Sequence, residues 1–173
     1  MRLVGASFLR GVLVGIATNQ LAWLARGDAS WTDYILHTDV APVSGTDQSI
    51  VFRHGANNSR YGLSLHIDGG VRELQLWATD SGGGEHLLRV APAAVLEYDK
   101  TFGFKIIVQG NRVRVFMGEK STFLEEYIDY TDGLNYAPQG RVGLAVWSGS
   151  ALTTATGFDN FAVQLCEPSA PNC

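Results

Sequence analysis

Positive charge is scarce in this chain of 173 residues: 13 Lys and Arg stand against 17 Asp and Glu, for a formal net charge of −4. No basic stripe or Lys/Arg cluster occurs, and a phosphate backbone is held by concentrated positive charge, so nucleic acid is not an expected partner. Long apolar runs are also missing. The N-terminal MRLVGASFLRGVLVGIATNQLAWLA has a basic start and an apolar stretch, the outline of a signal peptide. Arg10 splits that stretch and Asn19 and Gln20 interrupt it again, so nothing approaches the roughly 18 apolar residues of a membrane-spanning helix. Residues 8–18 and 20–26 read in preference as the first two strands. Only two cysteines are present, Cys166 and Cys173, near Pro168 and Pro171. They read either as a small disulfide loop of an oxidising compartment or as two thiols on a loose tail. With no further Cys or His beside them they make a poor zinc site.

The usual signatures of catalysis are absent as well. His37, His54, His66 and His86 show no metal-ligand spacing such as H-x-x-x-H, and no Ser sits in a G-x-S-x-G elbow. Gly82-Gly83-Gly84 precedes no helical pattern and is not a phosphate loop. Disorder is excluded from the other side, because 46% of the residues are hydrophobic and only 17% charged.

What the chain does have is one grammar repeated throughout: a short strand, a Gly/Asn/Asp turn, a short strand. From Trp31 to Ile67, WTDYILHTDVAPVSGTDQSIVFRHGANNSRYGLSLHI reads as three consecutive strands, separated by loops holding Gly45, Asp47, Asn57 and Asn58. VRELQLWAT (71–79) puts Leu74, Leu76 and Ala78 on one face and Glu73, Gln75 and Trp77 on the other. Residues 80–86 read as a hairpin loop, 87–90 as a short strand, and 91–100 as a connection. Residues 102–109 and 112–117 form a hairpin around Gly110-Asn111, a pair suited to the primed turns that match strand twist. Residues 123–130, 141–148 and 157–165 complete ten or eleven strands with no convincing helix. That count at this spacing means a sandwich or a barrel. The expected organisation is one β domain over residues 1–165, its first strands open to truncation, followed by a Cys-bearing tail or linker start at 166–173.

The order WTDYILHTDV, VFRH…NNSRYGLSL, FKIIVQGNRVRVFMG, GRVGLAVW and GFDNFAV resembles the concanavalin A-like lectin/glucanase superfamily, in particular its laminin-G-like and 3-keto-disaccharide hydrolase-like domains. The resemblance runs from about Gly11 to Leu165. It implies an all-β fold, a two-sheet antiparallel jelly-roll β-sandwich with one concave sheet. Sugar binding or hydrolysis follows only loosely, since the fold hosts lectins, enzymes and spacer modules. The Glu-x-Asp-x-x-Glu strand of the glucanase branch is not matched: LEEYID, with Glu125, Glu126 and Asp129, is the nearest stretch.

Three constellations follow. Glycoside hydrolysis needs two carboxylates about 5–9.5 Å apart; Asp33, Glu73, Glu125 and Asp129 are the available ones. Strand alternation puts Glu125, Tyr127 and Asp129 on one face, with Glu125 and Asp129 roughly 13 Å apart, too far for a direct pair. Sugar recognition needs an aromatic platform beside hydroxyl-binding polar groups. Alternation offers Trp77, Trp147, Arg53, His66 and Gln75 on the non-core side, if their strands share a sheet; the competing reading packs both tryptophans under loops. The resemblance further implies a structural calcium, with Asp159 the first place to look, whereas Asp159-Asn160 read by themselves favour hydrogen bonds to local backbone. The expected function is a non-catalytic carbohydrate-binding module, extracellular or at the cell surface and part of a larger protein, with a polysaccharide or glycan as partner. The alternatives are a glycoside hydrolase of the same fold and a structural or self-assembling module without a sugar ligand.

Overall fold

A computed structural model describes residues 13–17, 21–120, 123–148 and 153–166. Apolar side chains at alternate positions make each segment a strand with one buried face, and twelve strands result. They are β1 (Leu13–Ala17), β2 (Leu21–Arg26), β3 (Tyr34–Ser44), β4 (Asp47–His54), β5 (Arg60–Asp68), β6 (Val71–Thr79), β7 (Glu85–Pro92), β8 (Phe102–Gln109), β9 (Arg112–Glu119), β10 (Glu125–Thr131), β11 (Arg141–Trp147) and β12 (Thr154–Leu165). No helix occurs among the described residues. Twelve is more than the ten or eleven expected, and β7 starts two residues inside the expected loop and runs on through Pro92.

The strands form two antiparallel sheets of six. Sheet A has the order β1-β12-β3-β8-β9-β10 and sheet B the order β2-β11-β4-β5-β6-β7. Between them lies one core. Sheet A contributes Leu36, Val40, Phe104, Ile106, Val115 and Met117, and sheet B contributes Ile50, Phe52, Leu63, Leu65, Leu74 and Leu76, all at most 2% exposed. Such side chains each stabilise the fold by about 1.5–3 kcal/mol through removal from water.

Two bulges correct the alternation read from the sequence. In β4 the register with β11 shifts between Arg141↔His54 and Gly143↔Val51, so one extra residue sits on β4. Arg53 is at φ 51°, and the bulge turns its side chain away from the outer face expected for it. It is 1% exposed. Its Nε and Nη2 donate to Thr32 O at 3.0 and 2.8 Å, and Nη2 also reaches Gly110 O and Asp33 Oδ1. Arg53 is therefore a tie between sheet B and the loops at one end of sheet A. In β10 the shift lies between Glu126 and Ile128, as a bulge does by giving one strand an extra residue. Glu126 and Asp129 thus share the outer face that alternation gives to Glu125 and Asp129. Each is ion-paired, Glu126 with Arg114 and Asp129 with Arg112.

Candidate functional site

The outer faces of the two sheets differ in kind. Sheet A is laced with ion pairs: Arg112–Asp129, Arg114–Glu126 and Lys120–Asp39. Phe116 lies under both the Lys105 ammonium, 5.7 Å from the ring centroid, and the Arg114 guanidinium, at 4.9 Å. That is a face satisfied by its own charges.

Sheet B is built otherwise, in three cross-strand rows that register fixes. One row reads Leu21–Trp147–Asp47–His66–Glu73–Pro92. The next reads Trp23–Ala145–Ser49–Ser64–Gln75–Val90, and the third Ala25–Gly143–Val51–Gly62–Trp77–Leu87. The middle strands β11, β4 and β5 therefore present mostly small residues, while tryptophans stand on both sides. Trp147 and Trp23 are 50% and 49% exposed, far more than core aromatics. A Cβ placed on Gly62 would meet nothing within 4 Å, so the floor before Trp77 is open. From β11 to β6 is three strand spacings, about 14 Å. By residue size this face is a trough, with small residues along its middle strands and indoles to either side.

Its polar groups are held in fixed orientations. Trp77 Nε1 donates to Gln75 Oε1 at 2.9 Å, and Gln75 Nε2 donates to Glu73 Oε1 at 2.6 Å. On the neighbouring strands, Ser64 Oγ donates to Asp47 Oδ1 at 2.7 Å, and His66 Nδ1 lies 3.3 Å from the same oxygen. Trp23 rests against His54, with ring centroids 4.4 Å apart at 50°. One side of that indole is thereby backed by protein. Such an arrangement can stack on an apolar ring face and hydrogen-bond to hydroxyls beside it.

Of the five ligand-binding residues expected from the sequence, Trp77, Trp147, His66 and Gln75 come together on this face, and Arg53 does not. Trp23, Asp47, Ser49 and Gly62, not among the residues expected from the sequence, lie on the same face. The alternation Leu21, Trp23, Ala25 marks Trp23's side of β2, but only the pairing of β2 with β11 shows that this side joins the others. The four carboxylates expected for hydrolysis do not converge. Glu73 is on the outer face of sheet B, and Glu125 and Asp129 are on the edge strand of sheet A. Asp33 precedes β3, where Gly110 N donates to it at 2.9 Å.

Asp159 lies opposite Asp39 in register, and its Oδ1 accepts the N–H of Asn160 at 2.8 Å. Asp39 Oδ2 accepts from Asn160 Nδ2 at 2.7 Å and faces Lys120 Nζ at 3.4 Å. An ammonium and an amide donor already occupy the carboxylate across from Asp159, so this pair does not fit a calcium ion. Among the described residues no group of three or more His, Cys, Asp or Glu is placed to hold a metal. Cys166 N donates to Asp33 O at 3.0 Å, and its expected partner Cys173 lies outside the described residues.

No family model matches the chain. A levanase of Bacillus sp. (strain L7) is 32% identical over 138 residues, which is 79% of this chain, and the chain spans 14% of that relative's length. Among solved structures, the carbohydrate binding module CBM66 from Bacillus subtilis superposes with a TM-score of 0.65 at 16% identity, over 87% of this chain and 95% of that one. The exoplasmic/lumenal domain of VIP36, in its Ca2+/Man3GlcNAc-bound form, superposes with a TM-score of 0.63 at 11% identity, over 92% and 86%. The fold is the concanavalin A-like jelly-roll sandwich, shared with carbohydrate-binding modules and lectins.

Proposed function

We propose that this chain is a non-catalytic carbohydrate-binding module that lays a polysaccharide across the outer face of sheet B. One observation carries the reading: three rows of that face place Trp23, Trp147 and Trp77 around a floor of Ala145, Ser49, Ser64 and Gly62. The indoles stack on sugar rings, while Gln75, Glu73, Asp47, Ser64 and His66 meet hydroxyls. The module works as one part of a larger protein, a reading supported by the 14% share of the levanase that it spans. The module works outside the cell or at the cell surface, a reading supported by its similarity to a levanase and to a carbohydrate binding module. Levan, for which the relative is named, belongs in any first panel.

The test is affinity electrophoresis on a polysaccharide panel, with reducing-sugar release measured in parallel and each arm repeated with EDTA. Retardation without release is expected, and Trp77→Ala should abolish it while the circular dichroism spectrum stays unchanged. Release of sugars would make the chain a hydrolase instead. Loss of retardation with EDTA would add a calcium that Asp159 and Asp39, as arranged, do not hold. Retardation that survives Trp77→Ala would move the site off this face.

A further inference from the structure

The trough of sheet B has charges of opposite sign at its two ends, and the basic end has no role in the reading above. Asp47 and Glu73 lie in the row at one end. At the other end Arg141 pairs with His54 across β11 and β4, and Arg60 starts β5 opposite Thr79. By alternation Arg60 stands on the same side as Gly62, two residues along the strand, and the β4 bulge that buries Arg53 brings His54 out to this side.

These three residues are poorly matched by negative charge. Arg141 is exposed and makes no ion pair within 4.0 Å among the described residues, although it lies near enough to Asp28 to help lower that carboxyl after the Ser30 hydrogen bonds. Arg60 has one carboxylate neighbour, Glu85, at a loose 3.8 Å, and that glutamate is 67% exposed. His54 is 7% exposed, and its Nδ1 is buried with no hydrogen-bond partner among the described residues. Burial first, and then Arg60 and Arg141, hold the His54 imidazole below its usual value. The indole of Trp23 lies against that same imidazole at 4.4 Å. Two guanidiniums carried at the same end of the face, beside an aromatic platform, bind an oxyanion far better than a neutral hydroxyl, because each hydrogen bond is charge-assisted.

Resting on the glycan-binding reading, we infer that Arg60 and Arg141, with His54 beneath Trp23, form an anionic subsite at the end of the trough, which takes the carboxylate or sulfate of an acidic sugar residue while its ring stacks on Trp23. The proposal assigns the ligand a chemical class, an acidic polysaccharide, and gives it a direction, with the acidic substituent toward the β4–β5 turn.

The full chain is titrated calorimetrically with polygalacturonate and with the same polymer after methyl esterification, then with dextran sulfate and with dextran. Preference for polygalacturonate alone identifies the anion as a carboxylate, and preference for dextran sulfate identifies it as a sulfate. The preferred charged polymer should bind about tenfold or more tightly than its neutral counterpart, the effect of one or two charge-assisted hydrogen bonds. The double variant Arg60→Gln/Arg141→Gln should erase that difference and leave the neutral polymer's affinity unchanged, with the urea midpoint as the check on folding. Equal affinity within both pairs, or a preference that survives the double variant, overturns the subsite while the glycan-binding face stands. A preference that the double variant erases but Trp23→Ala leaves intact also overturns it, since the anion would then bind apart from the stacking platform. If none of the four polymers binds, and the neutral panel is silent too, the underlying reading falls with it.

Discussion

Gly62 occupies the centre of the trough floor, between Val51 of β4 and Trp77 of β6. Its backbone is not in the left-handed region, and a Cβ there would meet no atom within 4 Å. Nothing in the fold therefore requires glycine. A β-branched residue at an interior strand position is ordinarily the more stable choice, by about 0.5–1 kcal/mol. The missing side chain is space kept open above the floor, directly beside the Trp77 indole. Gly62→Val should leave the urea midpoint unchanged or raise it, while glycan retardation is lost through steric filling of the trough. Stability and binding then move in opposite directions, which separates a binding surface from a structural one. Retention of binding by this variant would mean that the ligand does not cross the third row.

At the scale of the element, the loop after β10 is organised by Asp132. This residue is 1% exposed. It accepts the Tyr61 hydroxyl, Leu134 N at 2.9 Å and Tyr136 N at 3.0 Å. Burial by itself raises its pKa, but the hydrogen bonds from Tyr61, Leu134, Tyr136 and Asn135 together outweigh that, and the carboxyl ends below its usual value. A carboxyl depressed in the folded state contributes stability that is present above its unfolded pKa, near 4, and is lost as pH falls through the lower folded value. Urea midpoints should therefore drop below about pH 4. Asp132→Asn should lower stability by about 1–3 kcal/mol at pH 7 and flatten that acid limb. A variant with an unchanged acid limb would assign the pH dependence to other carboxylates.

The same scale shows what could be read from the chain. Alternation located nearly every strand and sorted β6 correctly, with Leu74, Leu76 and Ala78 fully buried and Glu73, Gln75 and Trp77 on the other side. The period-2 pattern is a local property of a half-buried strand, so it survives without a structure. It failed at Arg53 and at Tyr127, where a single extra residue resets the faces of everything after it. A bulge is fixed by the register of the neighbouring strand, and VFRH carries no local sign of one. Trp23 was illegible as a site residue for a related reason: its partners Ala145 and Ser49 are 122 and 26 positions away.

At the scale of the molecule, both sheets are spliced late. The strand β11 enters sheet B between β2 and β4, and β12 enters sheet A between β1 and β3. Neither sheet is continuous until the last strands have paired with the first, across more than a hundred residues in the case of β12 with β3. The outer face of sheet B inherits this dependence, because Trp147 and Trp23 reach it only through β11. Non-local pairing of this kind makes folding slow, on the millisecond-to-second scale, and concentrates cooperativity in the closing strands. Ending the chain after Ser148 removes β12, and with it Phe158, Phe161 and Val163, which are buried against the core. It also leaves β1 without a neighbour in sheet A and exposes the edge of β3. We expect the full chain to unfold in urea as one cooperative transition, followed by tryptophan fluorescence, and the shortened chain to show none and to bind a hydrophobic dye. A cooperative transition in the shortened chain would mean that sheet B, with the trough intact, folds on β3, β8, β9 and β10 alone, and that β12 is an addition to a finished core rather than its closure.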